Sequence, residues 1–240
     1  MANQTQRPDT ALHNTSHLMQ YHDLIESIVA AMDARDAYTA KHSDRVADMV
    51  LVLATALDLS EDETTLLHMA AHLHDIGKIA VPDSVLRKAG PLTNPEWEEM
   101  RRHPVTGYEI LRKVDDFKEI AVLVRHHHER WDGRGYPDGL RGADIPLGSR
   151  ILAVADSIDA MMSSRSYRPA MTSAACRREI ERNSGIMYDP CVAAAALEHW
   201  DELVSRYAEA DTPQTPYFDR MQLEHTRQAH DYLLTHQGSR

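Results

Sequence analysis

Apolar residues recur at steps of three and four along most of the chain. Leu18, Tyr21, Leu24, Ile25, Ile28, Val29 and Met32 form one stripe, and Val46, Met49, Val50, Leu53 and Leu57 form the next. This period is that of amphipathic helices. Residues 60–63, SEDE, read as a capping box in which Ser60 caps and Glu63 reaches back. The helix it starts runs through Leu66, Leu67, Ala70 and Ala71 to His74, with Gly77 expected near the C-cap. A second box, TNPE at 93–96, opens a helix through Trp97, Met100 and Tyr108 to Leu111. Pro104 predicts a kink or break near His103, because its ring removes a donor and clashes with the preceding turn. Further helices are predicted at about 115–127, 149–163, 173–183, 190–207 and 217–235. No strand pattern is visible, so the expected fold class is all-α.

Between 129 and 148 the helical period disappears. Gly133, Gly135, Gly139, Gly142 and Gly148 punctuate a long loop that also carries Trp131, Tyr136, Leu140, Ile145 and Leu147. Loops of this length inside a domain are usually functional or disordered, and these apolar residues predict order. The expected organisation is a flexible tail at 1–15, a single helical domain at 16–208, and a linker with a C-terminal helix at 209–240. The apolar Met221, Leu223, Tyr232, Leu233 and Leu234 of that last helix suit packing on the core or a homodimer, so monomer and homodimer both stand.

Composition narrows the chemistry. The formal net charge of −11 argues against binding nucleic acid polymers or anionic membranes. A bound metal can still invert the local field and admit a small anion. No apolar run approaches the roughly 20 residues of a membrane span, and residues 1–10 lack the apolar core of a signal peptide. A cytoplasmic protein is expected. Cys176 and Cys191 are the only cysteines, too few for a thiolate zinc site, whereas the 15 histidines are unusually many.

The histidines and acids that fall near predicted helix ends are His42, His74 with Asp75, His103, His127 with His128, and Asp156. They are spread over five helices, and a bundle can gather such residues at its core. Nitrogen and oxygen donors without thiolate suit Fe, Mn, Co, Ni or Zn. His126 is expected to point away from its two neighbours. His68 and His72 are expected to face solvent or neighbouring side chains, and Asp159 is expected to support ligands rather than act as one.

HDIGK at 74–78, HHERWDGRGYP at 127–137 and RILAVADSIDAM at 150–161 resemble the HD-GYP family, a bacterial branch of the HD phosphohydrolases. The resemblance covers about residues 20–205, and the two motifs in this order are highly specific. It implies an all-helical domain holding two or three divalent metal ions, commonly iron or manganese, with Ni, Co or Zn as further options. By position, His42, His74, Asp75 and Asp156 would hold the first metal. Asp75 would bridge to the second, completed by His103, His127 and His128.

The implied reaction is hydrolysis of cyclic di-GMP to linear pGpG by a hydroxide bridging the metals, with Asp75 and Lys78 as catalytic residues. Lys78, Arg165 and Arg168 would meet substrate phosphates, and Gly135, Tyr136 and Pro137 would form the substrate-side loop. The alternatives are cleavage of another nucleotide, such as cyclic GMP-AMP, or an adaptor role. In the adaptor role the GYP loop would dock a diguanylate cyclase (GGDEF) partner. Relatives with three metals carry a glutamate four residues before the first ligand histidine. Tyr38 occupies that position here and Asp36 is the nearest acid. Two metals are therefore expected, with the reaction stopping at pGpG or passing only slowly on to GMP.

Overall fold

The computed structural model describes residues 21–35, 41–164 and 169–208. Tyr38, Asp36, Arg165 and Arg168 lie outside the described residues, as do the expected tail at 1–15 and the linker and helix at 209–240. Among the described residues the fold is all-α, with no strand. The helices are α1 (His22–Asp33), α2 (His42–Ala56), α3 (Glu61–Leu73), α4 (Asp83–Leu86), α5 (Asn94–Met100), α6 (His103–Leu111), α7 (Lys118–His126), α8 (Leu147–Met162), α9 (Ser173–Arg182), α10 (Pro190–Glu198) and α11 (Trp200–Ala208). Among these residues, no helix is long and apolar enough to cross a membrane.

Helix α3 is the centre. Every residue from Leu67 to Leu73 is buried, the mark of a helix enclosed on all sides. It packs against α2, α7 and α8, while α6 packs on α7 and on the 3-10 turn Ile76–Ala80 that follows α3. Met49, Leu53, Leu67, Met69, Ile120, Ile151, Leu152 and Ile158 fill the space between. At roughly 1.5–3 kcal/mol for each fully buried side chain of this size, this core is the main driving force for assembly. The enclosed helix ends at His74, so its last residues open onto the middle of the bundle.

Both capping boxes form: Glu63 N–H bonds Ser60, whose own N–H bonds Glu63 at 3.0 Å, and Thr93 pairs with Glu96 in the same way. The break at Pro104 is present, with α5 ending at Met100 and α6 starting at His103. Two local expectations are corrected. Gly77 does not cap α3; His74 occupies the C-cap and Gly77 lies inside the 3-10 turn. The helix expected over 190–207 is two helices, because His199 (φ −97°, ψ 24°) leaves the helical region after α10.

The loop between α7 and α8 holds to the rest of the bundle through its backbone. Trp131 and Asp132 N–H donate to the carbonyls of Met187 and Ile186 at 3.1 and 2.9 Å. Inside the loop the buried Glu129 carboxylate accepts from the backbone N–H groups of Asp138 (2.7 Å) and Gly139 (3.0 Å).

Candidate metal centre

Six of the seven expected ligands fall into two triads. The donor atoms of His42, His74 and Asp156 all lie within 4.8 Å of one another, and so do those of His103, His127 and His128. Each triad contains two imidazoles that face each other through Nε2, at 3.2 Å for His42 and His74 and 3.4 Å for His103 and His127. The seventh residue, Asp75, stands between them. Its Oδ2 is 3.4 Å from His74 Nε2 and 3.8 Å from His42 Nε2, while its Oδ1 is 3.4 Å from His103 Nε2. One carboxylate thus turns an oxygen to each triad.

In four of the five histidines the remaining ring nitrogen has a partner. Nδ1 of His74, His103 and His127 lies 2.7, 2.8 and 2.6 Å from the carbonyls of Ala71, Met100 and Val124. Nδ1 of His42 lies 2.7 Å from Asp159 Oδ2. Carbonyls and carboxylates accept only, so each neutral ring carries its proton on Nδ1 and directs the Nε2 lone pair inward. Pairs of inward lone pairs at this distance repel unless a positive charge lies between them. This donor set fits a divalent cation in each triad, with outer partners of the kind that orient metal-bound imidazoles.

The electrostatics agree. Burial pushes the His103 and His127 pKa values down to about 3 and about 4, and that of His128 well below its usual value. These rings are neutral at physiological pH, the form that ligates. Burial also opposes charge on His74, but the Asp75 and Asp156 carboxylates overcome it and lift the pKa to about 9. Burial likewise opposes charge on Asp75, yet Lys78 and His74 hold its carboxyl well below the usual carboxylate range. The His74 side of the centre is a well for positive charge.

Lys78 does not lie on α3, which has already ended. It sits in the 3-10 turn, and its ammonium reaches Asp75 Oδ2 at 2.5 Å. Tyr136 lies over His128, with ring centroids 4.9 Å apart, and under the Arg101 guanidinium. Gly135 has no room for a side chain: a Cβ there would stand 2.3 Å from Arg130 N. Pro137 follows Tyr136 through a cis bond. His126 points elsewhere, its Nε2 3.0 Å from Asp138.

Asp159 takes the supporting place expected of it. It is nearly fully buried, and burial opposes its charge. Hydrogen bonds from His42 and from Arg45, whose Nε is 2.6 Å away, nonetheless hold its carboxyl far below the usual range.

Of the two surroundings expected for His68 and His72, solvent or neighbouring side chains, the structure shows the second. They are 4% and 7% exposed, because α3 is enclosed on all sides.

Three contributors were not foreseen. Arg45 braces Asp159, and Arg101 covers Tyr136. Arg35 donates to the carbonyls of Lys78, Ile79 and Val81 and pairs with Asp83 at 2.8 Å, fastening the turn that carries Lys78 to the end of α1. The i,i+3 spacing of His42 and Arg45 put them on one face, but no local pattern marked Arg35 or Arg101.

Comparison with known proteins agrees with this geometry. The family model described as HD domain matches residues 23–192. The chain is 44% identical over 175 residues to the cyclic di-GMP phosphodiesterase response regulator RpfG of Xanthomonas campestris pv. campestris, covering 72% of this chain and 46% of that protein. It is 40% identical over 188 residues to the 3'3'-cGAMP-specific phosphodiesterase 2 of Vibrio cholerae, covering 76% of this chain and 35% of that protein. The chain therefore spans half or less of the length of these curated relatives. Among solved structures, a cyclic GMP-AMP-specific phosphodiesterase of V. cholerae superposes with a TM-score of 0.61 at 21% identity, covering 80% of this chain and 51% of that one, which is a likeness of fold. The chain belongs to the HD domain family, and its two motifs are those of the HD-GYP branch.

Proposed function

We propose that this chain is a metal-dependent phosphodiesterase that opens cyclic di-GMP to linear pGpG. The observation that carries the reading is the Asp75 carboxylate, with one oxygen toward each of two facing triads. His42, His74 and Asp156 would hold one divalent cation and His103, His127 and His128 the other, with Asp75 common to both. Iron and manganese suit this nitrogen and oxygen set, as do Co, Ni and Zn. Bound there, the cations supply Lewis acidity toward phosphoryl oxygens and lower the pKa of water.

The chain's own residues do the positioning. Asp75 sets the separation of the two cation sites. Lys78, beside Asp75, offers an ammonium to a non-bridging phosphate oxygen, and Arg165 and Arg168 are proposed for the same task at the second phosphate. Tyr136, fixed between His128 and Arg101, forms a wall of the entrance with Gly135 and Pro137. With Tyr38 in place of a third-metal glutamate, two cations are proposed, and pGpG accumulates rather than passing on to GMP.

A second substrate has specific support. The Vibrio relative named for 3'3'-cGAMP aligns over a span similar to that of the cyclic di-GMP relative. The test is a product time course with protein loaded anaerobically with Mn²⁺ or Fe²⁺, run in parallel on cyclic di-GMP and 3'3'-cGAMP, with Asp75→Ala as control. Accumulation of pGpG, lost in Asp75→Ala, supports the proposal. Faster cleavage of 3'3'-cGAMP moves the substrate assignment to it. No turnover of either in protein carrying two metals moves the reading to docking of a GGDEF partner.

A further inference from the structure

Helix α5 buries none of its residues, yet it carries a tryptophan. Trp97 is 45% exposed, so it fills no core. Arg101 follows one turn later at the C-cap, and the i,i+4 spacing puts both side chains on one face. Arg101 Cζ lies 5.9 Å from the Trp97 ring centroid and 5.6 Å from that of Tyr136. Tyr136 in turn lies against His128 of the second triad. Trp97, Arg101, Tyr136 and His128 thus form a column that leads from the surface to the metal centre. Burial, and after it the Asp156 and Asp75 carboxylates, push the Tyr136 hydroxyl pKa up, so the inner end of the column lies within the field of the centre.

Arg101 differs from the cations around it. Arg102, Arg112 and Arg125 each meet a carboxylate, at 3.1, 2.8 and 2.7 Å. Among the described residues, the Arg101 guanidinium meets only the Glu98 carboxylate, at 3.8 Å, in an exposed pair of little strength. Two ring faces hold it instead, which leaves the N–H edge of its planar fork turned out of the stack. Such an edge matches the O6 and N7 acceptors of guanine. Adenine offers an N–H donor in place of O6 and does not fit. A guanine paired with the fork lies in its plane, alongside the exposed indole, where base–aromatic stacking adds to the contact.

We propose that Trp97 and Arg101 form a subsite for one guanine of the substrate, with Trp97 as the stacking surface and Arg101 as the residue that selects guanine over adenine. The inference rests on the cyclic dinucleotide reading above and names what recognises the base. Cyclic di-GMP and 3'3'-cGAMP each carry a guanine that suits this subsite, whereas cyclic di-AMP carries none.

The test compares Mn²⁺-loaded wild type, Arg101→Lys and Trp97→Ala, with cyclic di-GMP as substrate and cyclic di-AMP as competing ligand. Both side chains are exposed, and circular dichroism confirms that the variants are folded. Arg101→Lys keeps the charge and loses the fork. It is expected to raise KM for cyclic di-GMP by about 5- to 150-fold, the effect of losing one bidentate base contact, with kcat and the inhibition constant of cyclic di-AMP unchanged. Trp97→Ala is expected to weaken both ligands by a similar factor, because stacking does not distinguish purines. Unchanged KM in Arg101→Lys, or equal loss of both ligands, overturns the proposal; equal loss would make Arg101 a phosphate contact. Calorimetric binding of the same ligands separates the subsite from the reaction. Wild type that binds cyclic di-GMP without hydrolysing it removes the phosphodiesterase reading, and the binding ratios of the variants then decide the subsite. Wild type that binds neither ligand overturns both.

Discussion

A Cβ on Gly77 would stand 1.9 Å from the carbonyl oxygen of His103 and 2.6 Å from Gly107 N. The turn that follows His74 and Asp75 therefore lies directly on the backbone of the helix that supplies His103. Two ligand-bearing elements meet at the one residue type without a side chain, and this contact brings the triads within reach of a single carboxylate. The neighbours are backbone atoms, so no side-chain rotation relieves the clash. Gly77→Ala should cost about 3 kcal/mol, the upper end of overpacking. That lowers the melting temperature by roughly 6–12 °C for a domain of this size. Calorimetry checks the first effect. Metal analysis of the folded variant should show less than the wild-type complement, because His103 is pushed away from Asp75.

Asp159 offers a gentler perturbation. Asp159→Asn keeps the shape but replaces the carboxylate that accepts from His42 Nδ1 and Arg45. Losing an outer partner of this kind typically weakens metal binding by about 10–100-fold. Competition with a fluorescent chelator should show that loss for one ion, while the ion held by His103, His127 and His128 is retained at near wild-type affinity. Equal weakening of both ions would refute independent support of the two triads.

Glu129 tests the loop. Its carboxylate accepts two backbone N–H groups, from Asp138 and Gly139. Glu129→Ala removes both bonds from donors at the protein surface, at roughly 0.5–1.5 kcal/mol each. The denaturation midpoint should fall accordingly, and exchange of the two amides should accelerate. Glu129→Gln keeps one accepting oxygen and should recover most of the loss.

Glu96 gives a pH signature remote from the metals. It closes the α5 capping box and pairs with Lys88 at 2.6 Å, and the hydrogen bonds from Lys88 and Thr93 depress its pKa from 4.5 to about 2. A depressed folded-state pKa contributes stability that is complete above pH 4.5 and is lost as pH falls toward 2. The stability difference between wild type and Glu96→Gln should be constant above about pH 5 and shrink below it, as measured by urea titrations along a pH series.

These cases also show what the chain's pattern could and could not reveal. The capping boxes at Ser60 and Thr93 and the break at Pro104 were legible because each is decided within four residues. The residues of the two triads could be picked out because most fall beside a helix end and several lie in motifs of recognisable order. Gly77 was misread as a cap because its reason is a helix 26 residues further on. His68 and His72 were left between solvent and neighbouring side chains because amphipathic spacing presumes a polar face, whereas α3 is enclosed all round. The His199 break and the roles of Arg35 and Arg101 depend on long-range packing that leaves no periodic trace.

The hydrogen bonds behind the ligand rings divide the histidines into two kinds. His74, His103 and His127 are each held by the carbonyl three residues earlier, at a helix end. A main-chain carbonyl neither titrates nor changes with the codon, so these three orientations are inherited with the helices themselves. Of these four rings, His42 leans on a side chain that substitution can alter. If evolution adjusts this centre to a different ion or turnover, position 159 is the dial that can be turned while the other three rings stay in place.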